Sequence, residues 1–182
     1  MKIGLMRGTV ALEPHDDIWE SSAKEMIDLL KKILGNNVVD IQHIGSTSIK
    51  NIKSKPIIDI VVGVNDFEDI LKYNNELSRY DIIFRGQDVE RQLLYVMGDF
   101  QNDIRTHHIH VVFWNEKEWN NYINFRDYLN ANICMAQEYS KLKEKLATRY
   151  PNDRISYTNG KKIMIDKILK QAEEWRKGIY KY

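Results

Sequence analysis

A carboxylate lies in the middle of an apolar segment, a short distance after a turn of small residues. Asp59 interrupts the apolar run 57–62, and the turn contains Gly45, Ser46 and Thr47. An ionised aspartate inside a buried strand is costly unless a partner compensates its charge. Glycine lets the backbone approach a phosphate, whose oxygens can accept from the following amides and hydroxyl. The pattern predicts a site for a phosphorylated ligand or a metal, or else a serine-rich turn in which backbone groups or Lys55 satisfy Asp59.

Three histidines lie where they could reach that carboxylate. His108 and His110 are two residues apart on a predicted strand, so their side chains share one face, and His43 ends another strand just before the turn. Imidazoles with a common orientation can bind a transition metal, donate to phosphate, or act as acid and base near neutral pH. We interpret Asp59, His108 and His110 as candidate catalytic and metal-binding residues, with His43 as a further candidate. The alternative is that each histidine is an ordinary surface or core residue.

Basic side chains could neutralise a bound phosphate. Lys55 directly precedes the predicted buried strand, and Arg126 falls on the apolar side of its predicted helix, where a guanidinium needs a partner or a ligand. Lys143 and Lys161 are weaker candidates. The candidate phosphate- or nucleotide-binding residues are Gly45, Ser46, Thr47, Lys55 and Arg126.

Hydrophobic periodicity predicts the elements that position these residues. Apolar spacings of three and four predict helices, and runs of branched residues predict strands. The predicted strands are 38–44, 57–64, 81–85, 91–97 and 107–114, and the predicted helices between them are 16–34 and 66–79. The last two strands form an antiparallel hairpin, Asp66 caps the second helix, and 57–64 is apolar enough to be buried on both faces.

The last third of the chain is predicted to be helical. Asn115 could cap the first helix, a second helix runs over about 135–149, and Pro151 ends it. Asn152 or Asp153 could cap a final helix that continues to about Lys177. These elements predict an α+β fold with a single domain over 1–182, divided into an α/β core (1–114) and a helical region (115–182).

Composition narrows the class of protein. The chain has 182 residues, of which 43% are hydrophobic, and its formal net charge is +1. Nucleic-acid binders usually carry a basic excess, so this balance disfavours that class. The single cysteine, Cys134, cannot form an intrachain disulfide. The first eight residues lack the pattern of a signal peptide, and no apolar run approaches the roughly 20 residues of a membrane span. We expect a cytoplasmic protein without a membrane partner.

Linked motifs along the chain resemble the GrpB family of bacterial proteins. They are His-Ile-Gly-Ser-Thr-Ser at 43–48, Lys-Pro-Ile-Ile-Asp-Ile at 55–60, His-Ile-His-Val-Val at 108–112, Phe-Arg-Asp-Tyr-Leu at 125–129, and the stretch 138–151. The resemblance covers most of the chain. It implies a nucleotidyltransferase-like fold: a short mixed β-sheet flanked by helices, with a helical C-terminal third.

The resemblance also implies a chemistry, from which this chain departs at one position. In the wider nucleotidyltransferase superfamily, the Gly-Ser turn precedes a strand with two carboxylates that hold the metals for phosphoryl transfer. Gly45, Ser46 and Asp59 match this pattern, but Val61 occupies the second carboxylate position and cannot ligate a metal. His108 and His110 are the best later-strand candidates, and histidine favours Zn²⁺ or Mn²⁺ over Mg²⁺.

Three functions are consistent with these residues. The first is a transferase of the nucleotidyltransferase type that uses a divalent metal (Mg²⁺, Mn²⁺ or Zn²⁺) on a nucleotide or phosphorylated metabolite. The second is a relative that binds the same ligands without catalysis, as Val61 suggests. The third, suggested by the lysines of 50–55 and the helical C-terminus, is an RNA-binding or scaffold protein. We rank them in that order.

Overall fold

A five-stranded mixed sheet carries the predicted site. The computed structural model describes residues 3–87 and 90–179. Residues 1–2, 88–89 and 180–182 of the predicted domain lie outside the described residues, and residues 1–2 also belong to the segment considered above as a signal peptide. The strands are β1 (Leu5–Met6), β2 (Asp40–Ile44), β3 (Ile58–Val64), β4 (Ile83–Phe84), β5 (Gln92–Met97), β6 (Ile104–Arg105) and β7 (His107–Phe113).

The order of strands in this sheet is β2-β3-β7-β5-β4. The neighbours β3 and β7 are parallel, and the other neighbouring pairs are antiparallel. The predicted antiparallel pairing of β5 with β7 is confirmed. The short strands β1 and β6 form a separate antiparallel pair, which tethers the N-terminal segment beside the end of β7.

Helices flank the sheet and make up the last third of the chain. They are α1 (Ile18–Leu34), α2 (Glu68–Leu71), α3 (Asn74–Ser78), α4 (Lys117–Ala131), α5 (Ile133–Arg149), α6 (Arg154–Gly160) and α7 (Lys162–Ile179). The predicted break at Pro151 separates α5 from α6, and the Asp153 carboxylate caps α6 by accepting from the N–H of Ser156 at 3.0 Å. The mixed architecture with a helical C-terminal third is the predicted one.

Three local predictions need correction. The helix predicted over 66–79 is two short helices, because the N–H of Tyr73 bonds to the carbonyl of Ile70 and tightens the turn between them. The predicted final helix divides into α6 and α7 at Lys161. Asn115 does not cap α4: it has a φ of 59°, and its carbonyl accepts from the side chain of Asn120. Asparagine tolerates this left-handed conformation better than most residues.

The two faces of the sheet pack against different helices. On one face, side chains such as Ile58 and Ile60 form the main core with α1, including Trp19. On the other face, Val61 packs with Trp119 of α4 in a smaller cluster. Strand β3 is therefore buried on both faces, as its apolar composition predicts.

The segment between β2 and β3 links the sheet to the C-terminal helices. Ile49 and Ile52 of this segment pack against Leu129 of α4, Tyr139 of α5 and Ile168 of α7. The turn predicted to bind phosphate is therefore held between the sheet edge and the helical region. Among the described helices, none has the length and apolarity needed to cross a lipid bilayer.

Candidate functional site

Asp59 faces two imidazoles on the neighbouring strand. In the parallel pairing of β3 with β7, Asp59 lies opposite His108, and His110 follows on the same face. His108 Nδ1 is 3.3 Å from Asp59 Oδ1, and His110 Nε2 is 3.6 Å from the same oxygen. The three side chains keep 28%, 13% and 15% of their surface exposed, in the order Asp59, His108, His110. Solvent therefore reaches part of each of the three side chains.

The two histidines hold Asp59 in its ionised form. Burial by itself would raise the pKa of the Asp59 carboxyl, but hydrogen bonds and charge from His108 and His110 outweigh that effect. The net result is a pKa well below the usual range of aspartate. The site therefore contains a permanent carboxylate at physiological pH.

The Gly45–Ser46 turn lies directly against Asp59. Gly45 has a φ of 71° and a ψ of −169°, a conformation that is essentially restricted to glycine. A Cβ at this position would lie 2.9 Å from the Cβ of Asp59, closer than real carbon contacts allow. Two hydroxyls fix the turn: Ser48 Oγ donates to the carbonyl of Gly45 at 2.7 Å, and Ser54 Oγ donates to that of Ser46 at 2.9 Å.

Two of the predicted residues lie away from the Asp59 carboxylate. His43 is opposite Ile60 in the antiparallel pairing of β2 with β3, so its side chain occupies the α1 face of the sheet. The Thr47 side chain is buried, with its Oγ1 3.0 Å from His43 Nε2. These two side chains pair with each other instead of facing His108 and His110.

Arg126 is engaged by protein groups. Its Nη1 donates to Gln42 Oε1 and to the carbonyl of His43, both at 3.0 Å, and its Nε donates to Asp127 Oδ1 at 2.8 Å. The sequence predicted that this guanidinium needs a partner or a ligand, and the partners are protein atoms. Arg126 fastens α4 to the end of β2, and we leave it out of the ligand site.

Cationic side chains from the segment before β3 and from the C-terminal helices gather near the turn. The ammonium groups of Lys55 and Lys161 lie 5.5 Å and 4.6 Å from the ring centroid of Tyr157. Lys143 Nζ donates to Ser54 Oγ at 3.3 Å, and Ser54 in turn holds the carbonyl of Ser46. We call Lys55, Lys143, Lys161 and Arg154 the cationic cluster.

The members of the cationic cluster repel one another. Burial, assisted by the charges of Lys161 and Lys55, lowers the pKa of Lys143 to about 7. Burial, together with Lys55 and Arg154, lowers the pKa of Lys161 to about 8. Burial and Arg154 also lower the pKa of Lys55, whereas the charge of Asp59 raises it. In the described part of the chain, Lys55, Lys161 and Arg154 form no ion pair.

The sequence places Lys55 close to the turn, but it does not bring the cationic side chains of the C-terminal helices to the same place. Lys143 and Lys161 were weaker candidates, and neither Arg154 nor Tyr157 was singled out. These residues follow the turn by many positions in the chain, so only the packing of α5 and α6 on the segment 45–57 brings them near it. The four-residue spacing of Tyr157 and Lys161, which places both on one helical face, is a signal that could have indicated the cluster.

The residues present do not fit the two-carboxylate metal site that the resemblance implies. One carboxylate and two imidazoles are donor types that suit a transition metal. However, Val61 fills the second carboxylate position and is buried against Ile44, Val112 and Trp119. Within residues 3–87 and 90–179, no group of three or more His, Cys, Asp and Glu side chains is arranged to hold a metal ion.

Comparison with known proteins identifies the family. The family model described as GrpB protein matches residues 9–171, which include the turn, the strands β2 to β7 and most of the C-terminal helices. The chain belongs to the GrpB family. A curated relative, the glutamate-rich protein GrpB of Alkalihalophilus pseudofirmus, is 43% identical over 172 residues, covering 93% of this chain and 99% of its own length.

Solved structures agree with this assignment. The crystal structure of GrpB from Enterococcus faecalis superposes with a TM-score of 0.83 at 32% identity, covering 91% of this chain and 99% of that one. A structure of Cid1, described by its RNA terminal uridylyl transferase activity, superposes with a TM-score of 0.53 at 14% identity. This GrpB-family chain matches 42% of the Cid1 chain, and at that identity the likeness concerns the fold alone.

Proposed function

We propose that this GrpB-family chain binds the phosphate groups of a nucleotide or another phosphorylated metabolite between the Gly45–Ser46 turn and the cationic cluster. The observation that carries the proposal is the placement of Lys55 and Lys161 against one Tyr157 ring, with no ion pair to any described residue. Two ammonium groups at such a place repel each other and have lost part of their hydration. A phosphate between them relieves both penalties.

The donors around the turn suit a ligand with a phosphate group better than a ligand with a single carboxylate group. Lys55 and Lys161 supply point charges, Arg154 supplies a planar guanidinium, and Ser46 supplies a hydroxyl. A phosphate offers three or more oxygens and so can use donors from several directions at once. Asp59 limits how far the anion can move toward the sheet, because it is itself negative.

Isothermal calorimetry tests the proposal directly. We expect heat of binding with ATP, GTP, CTP or UTP, and none with the corresponding nucleosides, which lack the phosphates. Replacement of Lys161 by alanine removes one charge-assisted contact and should weaken binding by about 10-fold or more. Lys162, the next residue, is exposed, so Lys162→Ala is the matched control and should bind as the parent does. Absence of heat with every phosphorylated compound would contradict the proposal.

Group transfer is a second candidate, favoured by the contact of Asp59 with His108 and His110. A carboxylate that hydrogen-bonds an imidazole orients the ring as a general base for a hydroxyl nucleophile. The hydroxyl oxygen would then form a bond to the α-phosphorus of a nucleoside triphosphate, the bond from that phosphorus to the leaving pyrophosphate would break, and the imidazole would take the hydroxyl proton. No step in this scheme is assigned to a metal, because buried Val61 occupies the second carboxylate position of the two-metal site.

Product analysis separates transfer from binding alone. We expect labelled nucleoside triphosphate to yield a transferred nucleotide in the parent, and at least about 100-fold less product in Asp59→Asn, which keeps the shape of the side chain but removes its charge. Assays with added Mg²⁺, Mn²⁺ or Zn²⁺ and with a chelator show whether a metal contributes. Binding without any product under all these conditions favours the catalytically inactive alternative.

A further inference from the structure

A groove of about 540 Å³ opens beside the cationic cluster. Its lining includes Arg7, Gly8, Asn152, Arg154, Thr158 and Asn159. A smaller, water-sized hollow is lined by Lys55 and also by Arg7, Gly8 and Arg154. Because these three residues line both spaces, the groove is continuous with the part of the protein where Lys55 lies.

Backbone hydrogen bonds fix the two walls of this groove. The N–H of Arg7 donates to the carbonyl of Asp103 at 2.9 Å, and the N–H of Thr9 closes a turn onto the carbonyl of Met6 at 3.2 Å. The N–H of Val10 donates to the carbonyl of Pro151 at 2.7 Å. This last bond ties the N-terminal segment to the loop before α6, so the side chain of Arg7 emerges from an anchored turn.

Two arginines and several neutral polar groups line the groove. Arg7 and Arg154 are exposed and make no ion pair with any described residue. The lining also contains one carboxylate, Asp153, which accepts from the N–H of Ser156 at the start of α6, so the two arginines leave the lining with a positive excess. Asn152, Thr158 and Asn159 offer amide and hydroxyl groups, which can donate to or accept from an uncharged ligand portion.

We propose that the ligand of this chain has two anionic groups, one held by the cationic cluster and the other by Arg7, which lines the groove together with Arg154. The inference rests on the proposed phosphate site and extends it. Pockets for small molecules occupy about 300–1,000 Å³, so the groove has room for a ligand of nucleotide size. The chemical class is a nucleoside with phosphates at two positions, or a metabolite with the same separation of charge.

Two ligands that differ by one phosphate test this inference. Calorimetry compares adenosine 5′-monophosphate with adenosine 3′,5′-bisphosphate on the parent chain, on Arg7→Ala and on Arg79→Ala. Arg79 is exposed and follows α3, outside the lining of the groove, which makes it the matched control. We expect the bisphosphate to bind about 10-fold more tightly than the monophosphate in the parent and in Arg79→Ala. In Arg7→Ala this gain should disappear while the affinity for the monophosphate is kept.

The outcomes separate the two proposals. Equal affinities of the two ligands in the parent, or a full gain retained in Arg7→Ala, overturns the second anionic subsite. If neither adenosine phosphate binds while ATP still does, the second anionic subsite is also overturned, and the proposed phosphate site is retained. If ATP does not bind either, the proposed phosphate site itself is refuted.

Discussion

His43 and His107 differ from the imidazoles beside Asp59 in their surroundings. Both lie on the α1 face of the sheet, where His43 Nε2 is 3.0 Å from Thr47 Oγ1 and His107 Nε2 is 3.2 Å from Ser22 Oγ. Burial lowers the pKa of each to about 4. Both rings are therefore neutral in the folded protein at pH 7, and their protonation opposes folding.

The stability of the protein should therefore fall in mild acid. Between pH 6.5 and pH 4 each of these histidines binds a proton more readily in the unfolded chain than in the folded one, so acidification favours unfolding. The loss is at most about 3 kcal/mol for each histidine. Urea denaturation at a series of pH values measures it as a falling free energy of unfolding. His107→Gln should flatten this dependence, and an unchanged slope in that variant would contradict the assignment.

The residues of the site that the sequence could predict share one property: each is fixed by strand parity or by a short turn. Asp59, His108 and His110 meet because a two-residue spacing puts side chains on one face, and β3 pairs with β7. Lys161 could not be placed in the same way. The four-residue spacing places it on the same helical face as Tyr157. Its approach to Lys55 depends on how α6 packs, which sequence spacing does not encode.

The attachment of α7 to α4 depends on one carboxylate between two arginines. Asp127 Oδ1 accepts from Arg126 Nε at 2.8 Å, and Asp127 Oδ2 accepts from Arg176 Nη2 at 2.5 Å. Arg176 Nε also donates to Asn124 Oδ1 at 2.8 Å. Burial would raise the pKa of Asp127, but the two guanidinium groups lower it overall, so the bridge is ionic at neutral pH.

Asp127→Ala should loosen the last helix. The substitution leaves two partly buried guanidinium groups without their carboxylate, at a cost of about 2–3 kcal/mol. We expect a lower unfolding temperature and faster amide hydrogen exchange across α7. The control is Asp28→Ala, which breaks an exposed pair with Lys24 and should leave both quantities nearly unchanged. Equal effects of the two substitutions would refute the role given to Asp127.

Long elements with a clear apolar period were predictable, and short ones were not. Helix α1 and strands β3, β5 and β7 lie close to their predicted bounds, because each buries a continuous stripe or face. The two-residue strands β1 and β6 have no periodic signal of their own and exist through their pairing with each other. The division at Lys161 similarly depends on tertiary packing.

On the scale of the whole molecule, the sheet and the C-terminal helices share buried clusters. Trp119 of α4 packs on Val61 of the sheet, and Ile49 and Ile52 pack against α4, α5 and α7. Unfolding of one part would expose apolar surface of the other. This sharing supports the prediction that the α/β core and the helical region form one domain.

One cooperative transition should therefore describe unfolding. Cys134 is exposed and is the single cysteine of the chain, so a fluorescent dye attached there reports on α5 and its surroundings. We expect its urea midpoint to coincide with the midpoint obtained from amide exchange of β3. Cys134→Ser labelled in parallel controls for nonspecific dye attachment. Two separated midpoints would show that the helical region is a domain of its own.

Val61 has a consequence for any attempt to build a metal centre into this site. The valine lies dry beneath the indole of Trp119, so an acid introduced there would be stripped of water without a cation to receive it. A single substitution that places an acid at this position should therefore lower the stability of the fold. A metal ligand engineered there would also need a smaller residue in place of Trp119, because the indole belongs to the same buried cluster.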